Sequence, residues 1–367
     1  MWGWRITFFD SYTWPAVGES LPGARASNPR ERETISMTQK STSLLSGLSV
    51  LFALSVLPAQ QGTAQTVEEA LSSLAQENAA LYLEPLTHGF GHAMTSSFFD
   101  GGDVRGLLSF NVGLRVMAAL PPEEAKTFTP VPPPDITVAG ERVPNPYQPP
   151  TGPTPTAAGE GTGIVLLLTE AARSAIQARG EDPDRYEELR FPDGLDIPAI
   201  PFTVVEGNVG VGLGTEITLR LIPSVEISDE VGSVGAFGVG VRHSVTNWLM
   251  APTPVDVAVS VGRQGFSAGD YLDASGTSVG LAVSRGFGAL ILFAEGGLQS
   301  SSLDVGYTVE NPVLDEDGTR VGFNTELGTA GRFAVGAGLQ LAFLTVAGQF
   351  SAQDYNTVSL RVGLGTP

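Results

Sequence analysis

Cysteine is absent from this chain, and lysine nearly so. Without a thiol there can be no disulfide framework, no thiolate metal site and no bacterial lipidation on cysteine. Lysine occurs only at Lys40 and Lys126; the other basic residues are arginine. The formal net charge of -19 argues against nucleic acid as a partner, because neutralising phosphate takes clustered Lys and Arg. The apolar run at residues 44–57 falls short of the ~20 residues that a membrane-spanning helix needs. Glycine and proline are plentiful instead, and twelve of the 26 prolines crowd into residues 120–155.

The short apolar run has another use. From Met37 the chain reads MTQKSTSLLSGLSVLFALSVLPAQQGTAQ, with a basic residue, an apolar stretch, then small residues that place Gly62 and Ala64 at the -3 and -1 cleavage positions. This is a secretory signal peptide over residues 37–64. Residues 1–36 then read as upstream leader from an early start codon; they hold Trp2, Trp4 and Trp14 without any periodic apolar pattern.

After the cleavage site, TVEEALSSLAQENAALYLEPL has apolar residues at helical spacing and predicts a short helix closed by Pro85. The glycine-rich GFGHAMTSSFFDGGD follows. Residues 65–103 are expected on the periplasmic side or folded into a lumen as a plug. From Arg105 the pattern changes to alternation: Leu108, Phe110, Val112, Leu114 and Val116 oppose Ser109, Asn111, Gly113 and Arg115. The proline-rich insert 119–201 interrupts it. Residues 120–155 predict no regular element there, and Ile164 to Gly180 predicts a helix. Beyond Phe202 alternation is the rule to the end, as in Val255, Val257, Val259 and Val261 against Asp256, Ala258, Ser260 and Gly262.

A soluble sandwich and a membrane barrel can share this alternation. Here the face opposite Val, Leu and Phe is built of Gly, Ser, Ala, Asn and Thr, with little of the Lys and Glu that would solvate an outer surface. In FAVGAGLQLAF (333–343) the bulky side suits hydrocarbon and the small side a crowded lumen. Many strands also reach the ~9–11 residues that cross a bilayer at a tilt. The fold class is therefore all-β, an antiparallel transmembrane β-barrel of about ten strands (range eight to fourteen) over residues 104–367. Alternating short and long connections put the C-terminus on the periplasmic side. ENPVLDEDGTRVGFNTELG, GFSAGDYLDASG, SDEVGS and the insert then form external loops, and Trp248 is an interface anchor.

The runs YLEPLTHGFGHAMTSSFFDGG, GTEITLRLIPSVEI and GVGVRHSVTNWLMAPTPVDVAVSVGRQGF, with the closing VSLRVGLG, resemble an uncharacterised family of outer-membrane-like β-barrel proteins from Bacteroidota and their relatives. That resemblance covers most of the exported chain. It implies a barrel and carries over no catalytic residue. One departure is the ending Leu364-Gly365-Thr366-Pro367, where outer-membrane barrels commonly finish on an aromatic residue.

Candidate chemistry is sparse. The glycine clusters GNVGVGLG and GAFGVGV alternate and precede no helix, so they fail the context of a phosphate loop and read as sites of close backbone approach. His88 and His92, spaced i, i+4 near Asp100 and Asp103, are read as polar plug or turn residues rather than metal ligands, and His92, Ser96 and Asp100 as no hydrolytic triad. The charged residues that alternation turns inward are Arg115, Glu206, Glu216, Arg220, Arg242, Asp256 and Arg361. They would either pair into ladders that close the barrel or line a wet pore with anion preference. The expectation is an outer-membrane protein without cofactor or enzymatic activity, serving passive passage or binding of small solutes. Its partners would be outer-membrane lipid and the barrel-assembly machinery. The alternative is a structural or surface-interaction barrel with a filled lumen; a barrel-embedded hydrolase is a third reading.

Overall fold

The structure, a computed structural model, describes residues 76–228, 232–249, 253–311 and 315–366. The expected leader (1–36) and signal peptide (37–64) lie outside these residues.

Ten antiparallel strands close into a barrel. They are β1 (Phe110–Ala119), β8 (Ile200–Gly212), β9 (Thr215–Ser228), β10 (Gly232–Ser244), β11 (Asp256–Ala268), β12 (Leu272–Phe287), β13 (Leu290–Asn311), β14 (Asp315–Leu341), β15 (Leu344–Ala352) and β16 (Thr357–Gly365). Each pairs with its neighbour in sequence, and β1 closes the ring between β8 and β16. Successive side chains point to opposite faces. The result is inverted relative to a soluble fold. Phe333, Val335, Leu339 and Leu341 are exposed on the outside of β14, while Arg332 and Ala334 are buried inside. The same holds for Val358, Leu360 and Val362 against Ser359 and Arg361 on β16.

The first strand begins later than the alternation predicts. Gly106 and Ser109 close a turn, Leu108 takes a positive φ of 60°, and the ladder starts at Phe110. The turn ends the extended run that sequence would continue to Arg105.

The N-terminal helix α1 spans Gln76–Thr95, 20 residues, and Pro85 lies inside it rather than at its end. Proline removes one intrahelical bond and disfavours helix. Burial outweighs that loss, because α1 packs on both sides of Pro85. Ala79, Tyr82 and Leu83 meet Phe128, Ala157 and Phe191 of the insert, and Phe90, Ala93 and Met94 meet Phe202, Phe266 and Leu303 of the barrel wall. The glycines of GFGH stay helical because they touch that wall. A Cβ on Gly89 would lie 2.7 Å from the Ile200 side chain, and one on Gly91 2.4 Å from Ser301 Oγ.

The insert carries more structure than its prolines suggest. It holds three two-stranded pairings: β2 (Thr127–Phe128) with β5 (Thr154–Pro155), β3 (Asp135–Val138) with β4 (Glu141–Pro144), and β6 (Val165–Leu167) with β7 (Glu188–Arg190). The helix expected from Ile164 is shortened to α2 (Glu170–Ala178), capped by Thr169, because the preceding Val165–Leu167 is claimed by β7. Val138, Val143, Leu168, Ala172 and Ile176 form its own small core. Much of the sequence expected as the external loop after β13 is strand. In β13 and β14 the ladder pairing continues from Leu290–Leu339 to Asn311–Asp315 and extends the hairpin.

Candidate functional site

The lumen is occupied from one mouth to the other. α1 starts under the insert, where Asn78 Nδ2 donates to Val131 O at 2.8 Å and Tyr82 Oη donates to Asp193 O at 3.0 Å. It ends inside the barrel at Thr95, and residues 96–105 continue to the opposite, short-turn mouth. There the Arg105 N–H donates to Glu216 Oε2 at 3.0 Å. Gly101 has a φ of +87°, and a Cβ on Gly102 would lie 2.4 Å from Asp256 O, so the segment is pressed against the wall where only glycine fits.

Between these ends two aromatic residues and one carboxylate anchor the plug. Phe98 lies under Arg220, whose Cζ sits 3.9 Å from the ring centroid, and Phe99 lies 5.2 Å from Arg242 Cζ. The wall glycines make room for them: a Cβ on Gly262 would lie 2.7 Å from the Phe98 ring and one on Gly240 2.9 Å from Phe99. Arg220 also donates to the carbonyls of Ser96 and Ser97, and Arg242 to Gly101 O at 2.5 Å. Asp100 accepts from Arg115 Nη1 at 2.9 Å and Nη2 at 2.7 Å, and from Arg361 Nη1 at 2.9 Å. Burial pushes the Asp100 carboxyl up, but the charges of Arg115 and Arg361 outweigh it and hold the group well below the usual carboxylate range.

Six of the seven inward charges predicted from alternation fall into two groups. Arg115, Arg220 and Arg361 converge on Glu206, with Nε–oxygen distances of 2.8, 2.9 and 3.2 Å. Arg361 donates further to the side-chain oxygens of Asn111 and Asn208. Arg242 pairs with Glu216 at 2.9 Å, directly across the β9–β10 ladder. Asp256 joins neither group. It lies at the short-turn end of β11.

Sequence reasoning missed Asp100 as the partner of the arginines, because plug residues carry no strand period. It also missed Arg332 and Glu295, paired at 2.5 Å inside the barrel, although the same alternation marks both as inward.

His88 and His92 share one face of α1. His92 stacks on Tyr355 at a centroid distance of 5.5 Å and bonds Gln299 Nε2 through Nδ1 at 2.6 Å, while His88 meets the edge of Tyr355 at 5.9 Å. Burial pushes His92 down to about 4, with Asp354 opposing and His88 adding to the fall. No group of three or more His, Cys, Asp or Glu residues placed to hold a metal ion occurs among the described residues.

A cavity of about 230 Å³ remains at the short-turn mouth, between the plug and the β13–β15 wall. Asp100, Asp103, Arg105, Arg115, Glu216, Arg242 and Arg361 line its polar side, and Ile291, Phe293 and Ala347 its apolar side.

Among solved structures, OccK2 (OpdF) of Pseudomonas aeruginosa aligns over 71% of this chain and 99% of its own, at 11% identity and a TM-score of 0.10. OccK9 (OpdG) of the same organism aligns over the same shares at 11% identity and a TM-score of 0.11. Likeness at these scores supports nothing about what this chain does. No curated protein matches the sequence. A family model, described as "Family of unknown function (DUF6588)", matches residues 38–366, and the chain therefore belongs to that family.

Proposed function

We propose that this chain is an outer-membrane β-barrel with a closed lumen, a structural or surface-interaction protein rather than an open channel or an enzyme. The observation that carries the reading is the plug: α1 and residues 96–105 run the length of the barrel, and Asp100 is held by two arginines of the wall. A passive pore would need a continuous water-filled path, and ion-paired side chains fill this one. The exposed Val, Leu and Phe of every barrel strand support a lipid-facing exterior, since a closed barrel satisfies its backbone without water. In this reading the signal over residues 37–64 exports the chain, the assembly machinery inserts it, and the insert with the β13–β14 hairpin faces outward to meet partners.

Single-channel recording of the refolded chain in a planar bilayer tests it. A correctly inserted barrel is expected to be silent. Steady conductance, with an ion selectivity that changes in Arg220→Ala, would overturn the closed lumen and restore the passage reading.

A further inference from the structure

Of the seven charged side chains lining the cavity at the short-turn mouth, five are already paired. Asp100 holds Arg115 and Arg361, and Glu216 holds Arg242. The other two, Asp103 and Arg105, form no ion pair with each other or with any described residue. Among the described residues, the one side-chain hydrogen bond of Arg105 is Nη1 to Thr366 O at 3.5 Å, the outer limit for such a contact. Asp103 is exposed and Arg105 half-buried, so both are open to a ligand arriving from the mouth.

These two charges are opposite in sign and fixed in place. Gly102, pressed on Asp256 O, precedes Asp103, and the bond from the Arg105 N–H to Glu216 holds the other end. A ligand with one charge would satisfy one of them and leave the other facing a like charge or nothing. A ligand carrying both signs matches the pair. Arg242 lines the same cavity and adds a second positive charge at the carboxylate end. Ile291, Phe293 and Ala347 give the opposite side an apolar surface suited to an alkyl group.

We propose that this cavity binds a small zwitterion of α-amino-acid size, its carboxylate on Arg105 and Arg242 and its ammonium on Asp103. The site stands apart from the closed-lumen reading, because the cavity opens at one mouth and needs no path through the barrel.

Calorimetric titration of the detergent-solubilised full chain tests this with four probes: glycine, L-valine, 3-methylbutanoate and 2-methylpropylamine. The last two keep one charge each of valine. Saturable binding of glycine or valine is expected, with each singly charged probe about tenfold weaker or more, as for loss of one charged hydrogen-bonding partner. Arg105→Gln is expected to weaken the amino acid by a similar factor. Asp103→Asn is expected to remove the preference for valine over 3-methylbutanoate. Neither residue is ion-paired, so both variants should keep the fold, checked by heat-modifiable migration on gels. Absence of saturable binding by both amino acids overturns the proposal. So does binding unchanged in both variants, or 3-methylbutanoate binding as tightly as valine to the unmodified chain.

Discussion

Arg115 and Arg361 stand directly opposite each other across the β1–β16 ladder, two like charges in the position where a sheet normally avoids them. Asp100 of the plug lies between them and bonds both, Glu206 of β8 ion-pairs with the Nε of each, and Arg361 Nη2 donates to Asn111 and Asn208. The ring thus closes around a residue that belongs to no strand. With Glu206, the Asp100 carboxylate supplies the counter-charge that offsets the repulsion between the two arginines.

Removing that carboxylate therefore should cost more than an ordinary contact. Asp100→Ala leaves buried guanidiniums short of a counter-charge, and breaking a buried pair on one side costs about 3–5 kcal/mol. A lower midpoint of unfolding in denaturant, measured by far-UV circular dichroism, is the expected outcome. An unchanged midpoint would show that Asp100 is not the plug's anchor.

The same contact sets a direction with pH. A carboxyl whose folded pKa lies below its unfolded value stabilises the fold fully above the unfolded pKa, about 3.9, and loses that contribution progressively as pH falls from there through the folded value. Acidification to about pH 5 should leave the Asp100 contribution intact. Comparing unfolding midpoints of the unmodified chain and Asp100→Asn between these limits checks this, and the difference should be constant.

His92 acts in the same direction, over a higher pH window. Its folded pKa of about 4 lies below the ordinary 6.5, so the unfolded chain binds more protons and stability falls as pH drops from 6.5 towards 4. The full effect is about 3 kcal/mol. The charged neighbours are Asp354, which favours protonation, and His88, which opposes it; Gln299 and Tyr355 complete the surroundings. In His92→Phe, which keeps a ring on Tyr355, the stability slope between these pH values should flatten. Persistence of the slope would place it elsewhere.

Gly262 should tolerate no side chain. A Cβ there would press on the Phe98 ring at 2.7 Å, and overfilling a packed site costs about 1–3 kcal/mol. Gly262→Val is expected to loosen the plug, seen as faster proteolysis within residues 96–105. Gly286, which has open space around its Cβ position, is the control.

Trp248 offers a depth gauge. It is exposed near the short-turn mouth, and its Nε1 donates to His243 Nε2 at 2.7 Å, which leaves His243 Nδ1 to donate to Thr215 Oγ1 at 2.9 Å. In a chain starting at residue 65 it is the sole tryptophan. Its fluorescence should be quenched more by bromine near the lipid headgroups than near the bilayer centre. Equal insensitivity to both would contradict a membrane-facing exterior.

The amino-acid sequence by itself determined the strands and the direction of their side chains. A period of two is local, so Arg115, Glu206, Arg220 and Arg361 could be turned inward from the alternation of their own neighbours. Which partners they meet is not local. Asp100 reaches them because residues 96–105 thread the lumen; a plug is one of the two placements the sequence leaves open for residues 65–103, and nothing in SSFFDGGD says which wall residues Asp100 meets. Pro85 and the glycines of GFGH signal a break, yet contacts from the insert and the barrel wall, far off in sequence, keep α1 helical through both. In the insert, β6 takes Val165–Leu167 from a helix because β7 is there to pair with it. Only the tertiary structure decides such matters, because the burial and cross-strand pairing that settle them come from segments distant along the chain.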